Sequence, residues 1–177
     1  KVAAEQDALE VAGISGAFLS GAAPRAGGIF LNDATGGKLD YFLDSQVDVT
    51  RVVCEDGGMR VGTRLRLTSR VPSDVKDLPK YVTGLADVPK GTFVTRVSAY
   101  GPEGGRLVST TLDGAAVGGR QGTEAGRDVN LLSVDLASGE SVTYEFEWTV
   151  PQVGPVEVWS TPTTTASGRL SVPGSCG

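Results

Sequence analysis

The chain has 177 residues, of which 40% are hydrophobic and 21% are charged, a composition typical of a folded domain and not of a disordered one. Its formal net charge is −5 and its lysines and arginines are scattered along the chain, which argues against a nucleic-acid partner because phosphate binding needs a concentrated basic surface. Histidine is absent, which removes the usual Ser-His and Cys-His catalytic systems and the commonest metal ligand. We therefore expect no metal, no cofactor and no recognisable catalytic nucleophile.

The first part of the chain, residues 1–27, predicts a short helix and a loop that pack on the main domain. Ala4, Ala8 and Val11 recur at helical spacing among acidic residues, and Gly13 is a natural helix end. No apolar run approaches the roughly 18 residues of a membrane-spanning helix, so we expect no membrane insertion by this fragment.

Residues 28–177 predict a mainly β domain. The clearest signal is the segment 141–150, in which Tyr144, Phe146 and Trp148 alternate strictly with polar residues, a pattern that is hard to place on a helix. About eight such strands follow one another with turns every eight to twelve residues, and this spacing predicts an immunoglobulin-like antiparallel β-sandwich with a short N-terminal helix.

The segment 29–44 mixes charged and aromatic residues more densely than any other. Asn32 and Asp33 begin a run, Asn-Asp-Ala-Thr, that leads through two glycines to a second run from Lys38 to Asp44, Lys-Leu-Asp-Tyr-Phe-Leu-Asp. Together these runs resemble a motif of a mainly actinobacterial family known as domain of unknown function 4012, and residues 5–13 resemble the segment that precedes the motif in that family.

This resemblance implies a membrane-anchored bacterial envelope protein with an N-terminal spanning helix and a long external part. The chain would then be the C-terminal portion of that external part, placed outside the cell, and its expected partners would be another envelope protein or a cell-wall glycan. The family supplies no catalytic residue to carry over to this sequence.

The same segment supplies six candidate ligand-binding residues, which are Asn32, Asp33, Lys38, Asp40, Tyr41 and Asp44. One interpretation makes the three aspartates an acid/base pair for glycoside hydrolysis, a glycan site, or oxygen ligands for Ca²⁺. The other interpretation is structural: the first two residues set a turn, the lysine pairs with one of the two later aspartates, and the aromatic residues pack. The structural interpretation is the one that we favour.

A row of arginines, Arg60, Arg64 and Arg66, lies on the polar side of the alternating segment 59–69. Such a row could contact a polyanion. The favoured alternative is a solvated strand face whose charges pair with acids on a neighbouring strand, such as Asp48 or Glu145.

The two cysteines, Cys54 and Cys176, predict one disulfide that fastens the C-terminus to the sheet; the alternative is two unrelated thiols, one buried and one in the C-terminal tail. An even cysteine count suits an oxidising compartment outside the cytoplasm.

These patterns together predict a non-catalytic extracellular domain with a structural or interaction role in a membrane-anchored envelope protein. The alternative is a glycan-binding or carbohydrate-active domain that uses the region of Asp33, Asp40 and Asp44.

Overall fold

A computed structural model describes residues 3–11, 16–21, 23–75, 78–84, 87–163 and 168–174. It contains the helices α1 (Ala3–Val11) and α2 (Lys80–Thr83) and two 3-10 turns, Ala17–Ser20 and Leu39–Phe42. Within these described ranges, every helix is too short or too polar to cross a membrane.

The strands of the described chain form two sheets. They are β1 (Gly27–Asp33), β2 (Leu43–Glu55), β3 (Gly58–Ser69), β4 (Phe93–Tyr100), β5 (Leu107–Leu112), β6 (Ala115–Ala116), β7 (Arg120–Glu124), β8 (Arg127–Leu136), β9 (Ser141–Val150), β10 (Val156–Ser160) and β11 (Arg169–Val172). The first sheet has the order β11-β10-β1-β4-β8-β7, and the second has the order β2-β3-β9-β5-β6. Neighbouring strands run antiparallel except β1 and β10, which run parallel. The predicted mainly β sandwich with a short N-terminal helix is confirmed.

The strand β1 was not predicted from the sequence, and the glycine-rich segment 113–126, expected to be a flexible hairpin or an irregular edge, contains β6 and β7. Ile29 and Leu31 of β1 pack on one face of the first sheet and Phe30 packs on the other, so these three apolar residues are consecutive and lack the alternation that marks a half-exposed strand. The residues of β6 and β7 are exposed throughout, so no burial pattern marks them among the glycines of that segment.

The centre of the sandwich is built around three rings of β9. Tyr144, Phe146 and Trp148 are almost fully buried, and successive ring centroids lie 5.9 Å and 6.3 Å apart in stacked orientation. Burial of each ring stabilises the fold by about 2–3 kcal/mol. Gly27 of β1 faces this stack, and a Cβ atom there would lie 2.5 Å from the indole ring of Trp148, so the start of β1 has to be glycine.

A second apolar cluster covers the opposite face of the first sheet. Phe18, in the 3-10 turn before β1, lies 5.0 Å from Phe30, 5.6 Å from Tyr100 and 5.7 Å from Trp159, measured between ring centroids. A Cβ atom on Gly28 would come within 2.6 Å of the Phe18 ring. The segment before β1 therefore packs on the sandwich through Phe18, and a glycine in β1 makes room for it.

A buried arginine fastens the same segment through hydrogen bonds. Arg127, at the start of β8, is 0% exposed, and its guanidinium donates to three main-chain carbonyl oxygens at 2.6–3.2 Å, those of Ala23, Ala26 and Gly101. Burial lowers the pKa of Arg127, and the Glu103 carboxylate 3.4 Å away partly opposes this effect. The guanidinium thus links the loop before β1 to the loop after β4.

We predict that Arg127→Ala lowers the free energy of unfolding by about 3 kcal/mol, because three main-chain carbonyl oxygens lose a guanidinium donor and a cavity remains. Denaturant titration measures this change. Arg106→Ala is the matched control: the Arg106 side chain is exposed, so the expected loss is within about 0.5 kcal/mol. Equal losses in the two variants would contradict the structural role assigned to Arg127.

The predicted Cys54–Cys176 disulfide stays a prediction, because Cys176 lies outside the described residues. Cys54 lies near the end of β2, and no cysteine in the described part of the chain is a free thiol. We expect no alkylation when the protein is unfolded without reductant and two alkylated cysteines after reduction, both measured by intact mass. Two alkylated cysteines without reductant would disprove the bond.

Candidate functional site

An open cleft of about 630 Å³ lies where β1 ends beside the start of β2. Its volume is in the range of small-molecule sites. The residues that line it come from β1, β2, β4, the loop after β1 and the chain after β10: Leu31, Asn32, Asp33, Lys38, Asp40, Tyr41, Leu43, Thr95, Thr161, Pro162 and Thr163. The cleft therefore brings together five of the six candidate residues and leaves out Asp44.

The Asp33 carboxylate organises the wall of the cleft. It accepts hydrogen bonds from the backbone amides of Thr35 at 2.8 Å, Gly36 at 3.0 Å and Gly37 at 3.2 Å. Gly36 has a φ of 68°, in the left-handed region that glycine tolerates best. An aspartate can bond amides two or more residues further along the chain in this way, and the prediction that Asp33 sets a turn is confirmed.

Two further hydrogen bonds hold the loop after β1 in place. The Lys38 amide donates to the Val82 carbonyl of α2 at 2.8 Å, and the Val94 amide donates to the Thr35 hydroxyl at 2.7 Å. The 3-10 turn Leu39–Phe42 follows directly, with Leu39 buried in the core. The exposed side chains of this turn are consequently carried by a loop that hydrogen bonds hold in place.

Four polar groups of the cleft are available to a ligand. The side chains of Asn32, Lys38 and Asp40 and the hydroxyl of Tyr41 have no recorded hydrogen bond or ion pair with any described residue. The Tyr41 side chain is 73% exposed, and its ring meets the edge of Phe42 at 5.4 Å between centroids. A large exposed ring beside unpaired donors and acceptors is the usual composition of a binding surface.

The expectation that Lys38 pairs with Asp40 or Asp44 is wrong. Asp44 forms an ion pair with Arg70 instead, and the described chain contains no ion pair to Lys38. The reason is the alternation of side chains along β2: Leu43 lines the cleft and packs in the core, so Asp44 points to the other side.

The three aspartates of the segment have different contacts. Asp33 is committed to three amides and Asp44 to Arg70, which leaves Asp40 as the free carboxylate of the three. Glycoside hydrolysis needs two carboxyl groups that face each other across the bond to be cleaved. Among the described residues, no three acidic or cysteine side chains are grouped so that they could hold a metal ion.

The arginine row on β3 is largely neutralised by acids. Arg60 pairs with Glu55 at 2.9 Å and with Glu147 at 3.5 Å, and Arg64 pairs with Glu145 at 2.9 Å. The hydrogen bond to Glu55 is the main cause that raises the pKa of Arg60. These contacts agree with the interpretation of a solvated face paired with neighbouring acids, as was anticipated for Glu145. Arg66 is exposed, and no ion pair is recorded for it in the described chain.

Half of the cleft was missed by sequence reasoning. Thr161, Pro162 and Thr163 follow β10, and the parallel pairing of β10 with β1 carries them to the end of β1. The Leu31 amide donates to the Thr161 hydroxyl at 2.8 Å, which fixes this wall. The only local signal was a run of threonines after a strand, and nothing in that run tells which strand end it will join.

No protein-family model matches the chain, and neither the curated proteins nor the solved structures that were compared with it include a match.

We predict that two aspartates of the same cleft differ in their effect on stability. Asp33→Ala should lower the free energy of unfolding by about 2 kcal/mol, because three amides lose a charged acceptor. Asp40→Ala is the control and should change it by less than about 0.5 kcal/mol, because Asp40 is exposed. Thermal or denaturant unfolding measures both. A larger loss for Asp40→Ala would contradict this division of roles.

Proposed function

We propose that the chain is a non-catalytic interaction domain of a bacterial envelope protein and that it binds its ligand in the cleft beside Tyr41. The observation that carries the proposal is the combination of an exposed tyrosine ring with unpaired polar side chains in one braced cleft. The commitment of Asp33 and Asp44 to structural contacts supports binding without catalysis.

The placement outside the cell rests on the family resemblance of the segment 29–44 and on the even cysteine count. In cells that make the complete protein, antibodies against this domain should label the surface of intact cells. Labelling that appears only after the cells are made permeable would contradict this placement.

The second part of the proposal is that the ligand is a glycan. Sugars offer apolar C–H faces and a rim of hydroxyl groups, and the cleft offers matching surfaces. Leu31, Leu43 and Pro162 supply apolar lining around the Tyr41 ring, while Asn32 and its polar neighbours supply donors and acceptors. A tyrosine presents a large rigid contact area at a small cost in conformational entropy.

We predict that Tyr41→Ala weakens binding to purified cell-wall glycan by on the order of tenfold, because the ring supplies the main apolar contact. A sedimentation assay with insoluble cell-wall material measures this. Tyr81→Ala is the matched control, since Tyr81 is 68% exposed and lies outside the cleft. Unchanged binding by Tyr41→Ala, or an equal loss in both variants, would disprove a role for the cleft.

A further inference from the structure

We propose that the sugar recognised by the cleft is uncharged: a neutral, hydroxyl-bearing ring that lies against Tyr41 and bonds to Asn32, Lys38 and Asp40. This inference rests on the proposed glycan binding and goes beyond it by naming the chemical class of the ligand.

The charges that line the cleft oppose each other. Its lining contains one cation, Lys38, and two carboxylates, Asp33 and Asp40. The Asp33 carboxylate already accepts three hydrogen bonds from backbone amides. An anionic sugar bound in the cleft would share it with both carboxylates, and a cationic sugar would share it with the Lys38 ammonium group. Since an exposed ion pair is worth at most about 1 kcal/mol, one repulsive neighbour is enough to cancel it.

A neutral hydroxyl group can use both charged side chains. Ionised Asp40 only accepts hydrogen bonds and Lys38 only donates them, whereas a sugar hydroxyl does both. Asn32 adds a donor and an acceptor in the same side chain. These three side chains have no recorded partner among the described residues, so a bound sugar would replace water and would break no protein contact. Hydrogen bonds to charged groups are the stronger ones, which gives an uncharged ligand directional contacts here.

The charge distribution outside the cleft also disfavours an anionic ligand. The net charge of −5 disfavours an anionic polymer at long range. Two of the three arginines in the row, Arg60 and Arg64, pair with Glu55, Glu145 and Glu147, and Arg66 is the member for which the described chain shows no ion pair. An anionic ligand therefore finds no concentrated positive surface on the described sheet faces.

Competition experiments test this inference. The wild-type protein is bound to purified cell-wall glycan and displaced with a panel of neutral oligosaccharides, each matched with its uronic acid counterpart. We expect at least one neutral member to compete about fivefold or more better than its uronate, because the uronate meets Asp40 and Asp33. We also expect its affinity, measured by calorimetry, to change less than about twofold between about 20 mM and about 500 mM salt.

Two variants connect the measured affinity to the cleft. Asp40→Ala should weaken binding of the competing neutral sugar by about tenfold through loss of a charged acceptor. Asp44→Asn should leave that affinity unchanged, because Asp44 faces Arg70 outside the cleft. Equal effects of the two variants would overturn the assignment of Asp40.

The outcomes separate this inference from the proposed function. If only uronates compete and salt weakens their binding steeply, the neutral ligand is wrong while the glycan site stands. If the wild-type protein binds neither cell-wall glycan nor any soluble sugar of the panel, both proposals are overturned.

Discussion

The Asp33 carboxylate fixes the geometry on which the candidate site depends. Three consecutive backbone amides converge on it, and the chain then enters the Leu39–Phe42 turn, whose Asp40 and Tyr41 line the same cleft as the end of β1. Aspartate suits the position because its short side chain reaches amides a few residues further on. An acidic residue in a motif rich in charge suggests chemistry, but here its charge is used to fold the loop that displays Tyr41.

A second constraint acts at the opposite face of the first sheet, where a charged group is fully buried. The Arg127 guanidinium lies 4.4 Å from the centroid of the Phe18 ring and donates to the carbonyl oxygens of Ala23 and Ala26. Desolvation of the cation costs several kcal/mol, and these contacts offset part of that cost. The buried charge consequently specifies where the chain before β1 lies, which apolar contact with Phe18 alone would define less sharply.

Much of the sandwich could be predicted from the sequence because half-buried strands show a regular alternation of apolar and polar residues. The alternation in β3 and β9 predicts that Leu65 and Phe146 face the core, where the structure places them. Arg64, on the opposite face of β3, forms an ion pair with Glu145 of β9. In contrast, β1 escaped prediction because it is buried on both faces. One of its two neighbours in the sheet is β10, more than a hundred residues away, so the local sequence pattern could not predict this pairing.

The candidate site was half predicted for the same reason. Asp33 and Tyr41 belong to one continuous segment and could be recognised together, whereas Thr161 and Pro162 reach the cleft only through the β1–β10 pairing. The error about Lys38 arose from counting residues along the chain without the alternation of β2, which turns Asp44 toward Arg70. Sequence spacing shows which residues are close along the chain, but the side of the strand to which each side chain points determines which of them can form a contact.

The most direct measurement is a nuclear magnetic resonance titration of the isotope-labelled protein with soluble fragments of cell-wall glycan. We predict that amide shift changes cluster at residues 31–33, 38–41 and 161–163, around one cleft. Shift changes confined to the arginine face of β3, at residues 60–66, or no change at saturating fragment concentration, would contradict the assignment of the cleft as the binding site.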